Sequence, residues 1–349
     1  MTYRVIQWTT GNVGRRAVRA IVDHPQLELV GLYAHSADKI GKDAGDLCGI
    51  EKTGILATDD VKALLALGAN CVSYNPLIPN LDDLEMMLEA GINVISTSGF
   101  MTGQNTGDGV RERLDQAAKR GGASFFGGGI NPGFMNYLPL ALTAMCDRVY
   151  SISVTESADV RDYATGIWEM LGWGQPIGAE GQGLLVQALN AHFCDGLDLM
   201  ADALGFNLDD RRNEVEFTLA TRDIRLPFMT FPKGTVAGQR TTWYGIVGGR
   251  SVITIRVIWK MGEDVEPSWP LEQGYHIEIE GEPTIRTRVE FSQPSLSGLS
   301  REELVMGLGM VATAMPLVNA IPAICKAEPG VRTYIDLPLI CAAHLLYTG

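Results

Sequence analysis

Apolar and polar positions follow two different rhythms along this chain. Up to about residue 148, short apolar runs of strand length alternate with stretches in which apolar residues recur every three or four positions. The run 5–8 leads to Gly11 and Gly14, and Ala17, Val18 and Ile21 then mark one side of a helix reaching about residue 24. Further strands are predicted at 27–33, 70–74, 92–97 and 123–126, with helices from the capping pair Asp59 and Asp60 through Leu67, at 81–90 and at 110–120. Such alternation predicts an α/β fold with a Rossmann-type, doubly wound parallel sheet and right-handed crossovers.

Beyond Arg148 the rhythm changes. A strand at 149–155 and helices at 160–171 and 184–204 precede long runs of period two between 214 and 291. The runs from His276 and from Ile285 each keep one polar face, as in an open, mainly antiparallel sheet. Residues 301–324 read as an apolar helix interrupted at Pro316 and Pro322, and the tail through Leu337 and Leu345 is apolar enough to pack back on the first domain. The expected organisation is therefore a dinucleotide-binding domain over 1–148, an α+β substrate and dimerisation domain over 149–325, and a returning tail over 326–349.

Composition narrows the functional classes. A length of 349 residues suits about two domains. The formal charge of −13 argues against nucleic-acid binding and leaves a small-molecule substrate as the expected partner. The six cysteines are widely spaced, with no zinc-like pattern, so reduced thiols and no metal site are expected. No signal peptide precedes the first strand, and no uninterrupted apolar run approaches the roughly 20 residues of a membrane span, which predicts a cytoplasmic protein with no membrane partner.

The candidate chemistry begins at the turn after the first strand. Thr9, Thr10, Gly11, Asn12, Val13 and Gly14 form a Thr-x-Gly-x-x-Gly variant of the dinucleotide fingerprint, with Thr9 in place of its first glycine. Absent side chains there let a pyrophosphate approach free N–H groups at a helix N-terminus. The second strand ends in Tyr33-Ala34-His35-Ser36 and meets no carboxylate before Asp38. NAD sites usually place an acid at this point, so His35, Ser36 and Lys39 predict a 2′-phosphate and NADP(H). Asn75 with Pro76, Thr97 with Ser98, and Asn131 in a glycine-rich loop ending in Asn-Pro-Gly end three further strands and should open on the same crevice. The loop at Asn131 suits close approach to a nicotinamide ring, and its composition suits a domain connector equally well.

Four stretches together resemble a known family: Thr-Gly-Asn-Val-Gly at 10–14, His-Ser-x-x-Lys-x-Gly-Lys-Asp-Ala-Gly at 35–45, Gly-Ile-Asn-Pro-Gly-Phe at 129–134, and Asn-Ala-Ile-Pro-x-x-Cys-x-Ala-x-Pro-Gly at 319–330. The chain is similar to the dihydrodipicolinate-reductase-like oxidoreductases, and most to the branch of 2,4-diaminopentanoate dehydrogenase and the native NADP-dependent amine dehydrogenases. The resemblance implies a Rossmann domain, a second domain with an open sheet, a homodimer formed through that sheet, and an active site between domains. It implies hydride transfer to or from the carbon of a small ketone, imine or amine.

One departure bears on the chemistry. Amine dehydrogenases of this group carry a glutamate just after the fifth strand, where this chain reads Thr97-Ser98-Gly99-Phe100-Met101. The His-His-x-x-Lys-type stretch of the lysine-pathway reductases is also missing. A carbonyl or alcohol oxidoreductase without an amine step, and a non-catalytic NADP(H)-binding sensor, therefore stay open. Glu156, Asp159 and Glu169 are the candidate replacement acids, and Tyr163, Tyr137 and His192 the neutral donors, with Glu156, Tyr163 and Asn131 chosen as the catalytic set. A raised pKa in an apolar pocket would let Glu156 act as an acid. Trp168, Met170 and Trp173 are expected to line the substrate pocket.

Overall fold

The computed structural model describes residues 2–98, 101–178, 182–292 and 301–343, so Gly99, Phe100 and Leu345 lie outside the described residues. The chain forms two units, Met1–Phe134 with Gly309–Gly349, and Met135–Leu308. The divisions expected at 148/149 and 325/326 thus fall at 134/135 and 308/309. The helix after the Asn131 loop packs on the second sheet, and the last strand completes the first.

The first unit opens with β1 (Tyr3–Trp8), α1 (Asn12–Asp23), β2 (Leu27–Tyr33), α2 (Ala44–Cys48), β3 (Ala57–Thr58) and α3 (Val61–Leu65). It continues with β4 (Cys71–Tyr74), α4 (Leu81–Glu89), β5 (Asn93–Ser96), α5 (Val110–Gly121) and β6 (Ser124–Gly127). The second unit comprises α6 (Met135–Thr143), β7 (Arg148–Asp159), α7 (Ile167–Met170), α8 (Gln182–Leu204), β8 (Asp210–Ala220), β9 (Ile224–Arg225), β10 (Thr230–Phe231), β11 (Val236–Val247), β12 (Arg250–Lys260), β13 (Val265–Glu266), β14 (Gly274–Glu282) and β15 (Ile285–Val289). The chain ends with α9 (Arg301–Val318), α10 (Ile321–Ile324) and β16 (Gly330–Arg332).

The first sheet has the order β16-β6-β5-β4-β1-β2-β3 and is parallel throughout, as the alternating pattern predicts. Helices cover both of its faces, so β1 is buried from Val5 to Trp8 rather than alternating. Ile6, Trp8, Val72, Val94 and Phe125 share one core with Leu84, Met87 and Leu114 from α4 and α5. The chain leaves β1 toward β2 on one side and returns through β4 on the other. That reversal makes the carboxyl ends of β1 and β4 the place where such sheets receive ligands.

The second sheet has the order β13-β8-β11-β12-β7-β14-β15 and is antiparallel except where β12 meets β7. Its period-two pattern builds apolar rows across three strands: Ile253, Ile152 and Ile279 stand in register, and so do Ile255, Val154 and Ile277. Helix α8 lies on this face, with Phe193 stacked on Trp243 at 3.9 Å. The opposite face is polar, carrying Thr155, Arg256, His276 and Arg286.

Two helical expectations change. Between 160 and 171 only Ile167–Met170 is helical, because a tight turn from Val160 to Tyr163 and the bond from Trp168 Nε1 to the Tyr163 carbonyl at 2.7 Å hold the preceding residues otherwise. Helix α9 continues through Pro316 to Val318, and the break comes after it. Residues 307–324 are long and apolar enough to meet a membrane-span criterion, contrary to the expectation of no such run. Ala314, Leu317, Val318, Ile321 and Ile324 are nonetheless buried.

Candidate functional site

The turn after β1 is held from below by a side chain that the motif does not include. Gln7 is fully buried on β1, and its amide nitrogen donates to the Thr9 carbonyl at 2.9 Å and to Asn75 Oδ1 at 2.8 Å. Asn75 in turn donates to Thr97 Oγ1 at 2.9 Å and accepts from Ser73 at 2.9 Å. Ser98 donates to the Pro76 carbonyl at 2.5 Å. The ends of β1, β4 and β5 are thereby tied into one polar ridge that brings Thr9, Asn75, Pro76, Thr97 and Ser98 together.

Thr9 adopts φ +72°, in the left-handed region where the fingerprint's first glycine normally stands. Gly14 allows no larger residue: a Cβ there would lie 2.4 Å from the Thr9 carbonyl oxygen. Around a Cβ added at Gly11, by contrast, no atom lies within 4 Å. Helix α1 starts directly after Gly11, with no side-chain cap and no acid in its first turn. Its free N–H groups and dipole are therefore available to an anion. The hydroxyls of Thr9 and Thr10 are buried without a hydrogen-bond partner among the described residues. Open space, unopposed amides and two unused hydroxyls fit the pyrophosphate of a dinucleotide.

Beside this turn, the Thr9 amide donates to the Tyr33 carbonyl at the end of β2. His35 is exposed, and Ser36 and Lys39 are half-buried in the turn that follows. Lys39 makes no salt bridge among the described residues. Together with Arg15 and Arg19 it lies close enough to Cys48 to favour its thiolate, yet burial prevails and pushes the thiol up to about 11. The exposed Arg15 in the first turn of α1 is thus a cation that the motif reading missed. Asp43 explains the downstream part of the same stretch. Its carboxylate accepts from the amides of Gly45 (2.7 Å), Thr53 (3.0 Å) and Gly54 (2.8 Å), which hold its pKa below the usual range.

Asn131 lies in the first unit, in the irregular loop Ile130–Phe134 that follows β6. Gly133 takes φ +150°, and a Cβ at Gly128 would meet Tyr334 Oη at 2.8 Å. Tyr334 is buried, donates to the Gly129 carbonyl at 3.2 Å and packs edge-on to Phe126 and Phe134. A residue more than two hundred positions away thereby shapes the loop. Nothing in the local sequence signals it.

Glu156 and Tyr163 come together in the second unit. Glu156 continues the apolar face of β7 after Ile152 and Val154, directly in register with Val257 on one side and Tyr275 on the other. Its Oε1 accepts from Trp259 Nε1 at 2.8 Å, and the Tyr275 hydroxyl is hydrogen-bonded to the same carboxylate. Burial, reinforced by Glu156, pushes Tyr163 up to about 12 and raises Tyr275 well above the ordinary tyrosine range. Both partners offer donors to this carboxyl group.

The other candidates have different surroundings. Asp159 is engaged by Arg161. Burial lowers the pKa of His192, against the pull of Asp195. Trp168 and Trp173 are enclosed in the core, their rings 4.7 Å apart, whereas Met170 is exposed on α7. These three do not line one surface, because the helical turn sends Met170 away from the two indoles. Trp168 instead backs Tyr163 and Trp259, at 5.6 and 5.8 Å. Among the described residues no cluster of histidine, cysteine, aspartate or glutamate could hold a metal ion.

Comparison with known proteins bears on both units. Residues 134–346 match the family model of the 2,4-diaminopentanoate dehydrogenase C-terminal domain, and residues 5–119 match that of the dihydrodipicolinate reductase N-terminus. An amine dehydrogenase of Streptomyces virginiae is 31% identical over 96% of both chains. The 2,4-diaminopentanoate dehydrogenase of Acetoanaerobium sticklandii is 28% identical over 74% of this chain and 70% of its own. The solved amine dehydrogenase from Mycobacterium smegmatis shares the fold, with a TM-score of 0.77 at 20% identity over 98% of this chain and 97% of that one.

Proposed function

Because the chain belongs to the 2,4-diaminopentanoate dehydrogenase family of oxidoreductases, we propose that it is an NADP(H)-dependent dehydrogenase acting on the carbon of a small amine, imine or ketone. The observation that supports this reading best is the open, uncapped N-terminus of α1 at the reversal point of a parallel sheet. NADP(H), when bound, supplies the hydride chemistry.

In this reading the amides from Gly11 to Gly14 and the hydroxyls of Thr9 and Thr10 hold the pyrophosphate. His35, Ser36 and Lys39 take the 2′-phosphate, with Arg15 as an added cation. Asn75, Pro76, Thr97, Ser98 and Asn131 orient the nicotinamide half. Glu156 handles the proton of the amine in place of the absent glutamate, and Tyr163 limits its contact with water. The protein works as a cytoplasmic homodimer, for which the polar face of the second sheet is the surface of choice.

The test is incubation with NADPH and a panel of small ketones, with and without ammonium, followed by product analysis. Ammonium-dependent oxidation of NADPH with formation of amine is expected. Turnover indifferent to ammonium would replace this function by carbonyl reduction, and tight NADPH binding without any turnover would leave a sensor.

A further inference from the structure

Two of the widely spaced cysteines meet in the fold. Cys71 opens β4 at the centre of the first sheet, in register with Val5 on β1 and Asn93 on β5. Its neighbour Val72 belongs to the core under α4 and α5, so the Cys71 side chain points to the opposite face of the sheet, where it is fully enclosed. Cys325 directly follows α10, which is anchored by the buried Ile321 and Ile324. Its Sγ donates to the carbonyl of Asn70, the residue before Cys71, at 3.7 Å, and the two sulfurs lie within hydrogen-bond reach of each other. Both are free thiols of the first unit, one from its early segment and one from the segment that returns after the second unit. Cys71 is sealed, whereas Cys325 is half-buried. Cys325 also belongs to the Asn-Ala-Ile-Pro-x-x-Cys stretch, to which the cofactor reading gives no role.

We propose that Cys71 and Cys325 form a reversible dithiol–disulfide site, oxidised by low-molecular-weight disulfides of the glutathione type, that fastens the returning segment to the central strand. The unequal exposure sets the order of events. Cys325, as thiolate, attacks one sulfur of the small disulfide; that S–S bond breaks, and the leaving sulfur takes up the proton that Cys325 gave up. Cys71 then attacks the Cys325 sulfur of the mixed disulfide, its proton passing to the second small thiol as that group departs. Two protein thiols are oxidised, and one small disulfide is reduced to two thiols. Burial, reinforced by Cys325, holds the Cys71 thiol well above its ordinary range, so the second step is the slow one. The closed bond joins positions more than two hundred residues apart, a loop long enough to restrict the unfolded chain strongly.

In the test, full-length protein is incubated with glutathione disulfide, and peptide mapping by mass spectrometry without reductant follows each cysteine, with the exposed Cys341 as the control for reagent reach. A Cys71–Cys325 cross-link should accumulate, raising the melting temperature by at least about 3 °C, and dithiothreitol should reverse both changes. Cys71→Ala should stop at a glutathione adduct on Cys325, and Cys325→Ser should leave Cys71 unmodified. Failure of the cross-link to form while Cys341 is modified would overturn the proposal. So would a glutathione adduct on Cys71 in Cys325→Ser, or a cross-link that leaves the melting temperature unchanged. If Cys71→Ala does not fold, Cys325→Ser at its half-buried position carries the test: the same thermal shift on oxidation in that variant refutes the assignment.

Discussion

Two glycines of one turn should respond in opposite ways to the same added methyl group. At Gly14 a Cβ would stand 2.4 Å from the Thr9 carbonyl oxygen and 3.1 Å from the Gln7 amide nitrogen. Neither neighbour can yield easily: the first is backbone, and the second is locked between Thr9 and Asn75. Gly14→Ala must therefore push α1 away from β1, an overpacking cost of roughly 1–3 kcal/mol, with a fall in melting temperature of about 2–4 °C for each kcal/mol. At Gly11 the backbone (φ −72°, ψ −169°) accepts alanine, and the added Cβ meets nothing within 4 Å. Gly11→Ala should therefore change stability by no more than about 0.5 kcal/mol. If that open space receives the pyrophosphate, the same methyl group should weaken NADPH binding at least tenfold, or about 1.4 kcal/mol. Thermal melts with and without NADPH, together with fluorescence titration of the nucleotide, separate the two effects. A stable Gly11→Ala protein that binds NADPH as tightly as the wild type would refute the phosphate-turn assignment.

Three other outcomes are expected. NADPH should bind at least tenfold more tightly than NADH, about 1.4 kcal/mol, and Lys39→Ala should narrow that ratio; equal titration constants for the two nucleotides in the wild type would remove His35, Ser36 and Lys39 from the site. Asn131→Ala should lower kcat while leaving the NADPH dissociation constant within about twofold of wild type, a change of roughly 0.4 kcal/mol, and steady-state kinetics showing an unchanged kcat would place Asn131 outside the chemistry. Because three backbone amides hold the Asp43 pKa below its unfolded value of about 3.9, its contribution to stability is complete above that pH and is lost as pH falls through the lower folded value. Asp43→Asn should consequently be less stable at neutral pH and show a shallower acid limb below about pH 4 in urea midpoints; superimposable pH curves for the two proteins would count against it.

Local patterns carried the first unit well. Central strands buried on both faces, such as Val5 to Trp8, produce continuous apolar runs, and the helices between them show their own spacing, so β1, β2, β4, β5 and β6 were legible, whereas the short α2 and the two-residue β3 gave no run of their own. Thr9 was also recognisable, since a residue in a glycine's place announces an unusual turn, and it does adopt φ +72°. Gln7 left a faint signal, an amide within an apolar strand. What stayed hidden depends on register and on distant pairing. No periodicity says that Tyr275 will face Glu156, because a shift of one residue would send either side chain to the opposite surface. The three-residue β16 and Tyr334 act at a sequence separation of about two hundred residues, beyond any local rule. Trp168 and Trp173 misled because aromatic richness looks the same for a pocket wall as for the core behind it.

The pairing of β16 with β6 also sets an order of assembly. During synthesis six strands of the first sheet leave the ribosome before any of the second unit, and the seventh follows only after all of it. The second unit is in effect an insertion into an interrupted domain, and the outer edge of β6 waits unpaired while roughly half the chain is being made. The phosphate turn, built wholly from early residues, can form on the nascent chain. The loop at Asn131 obtains its buttress only when Tyr334 arrives, so the two halves of the cofactor cleft mature at opposite ends of translation.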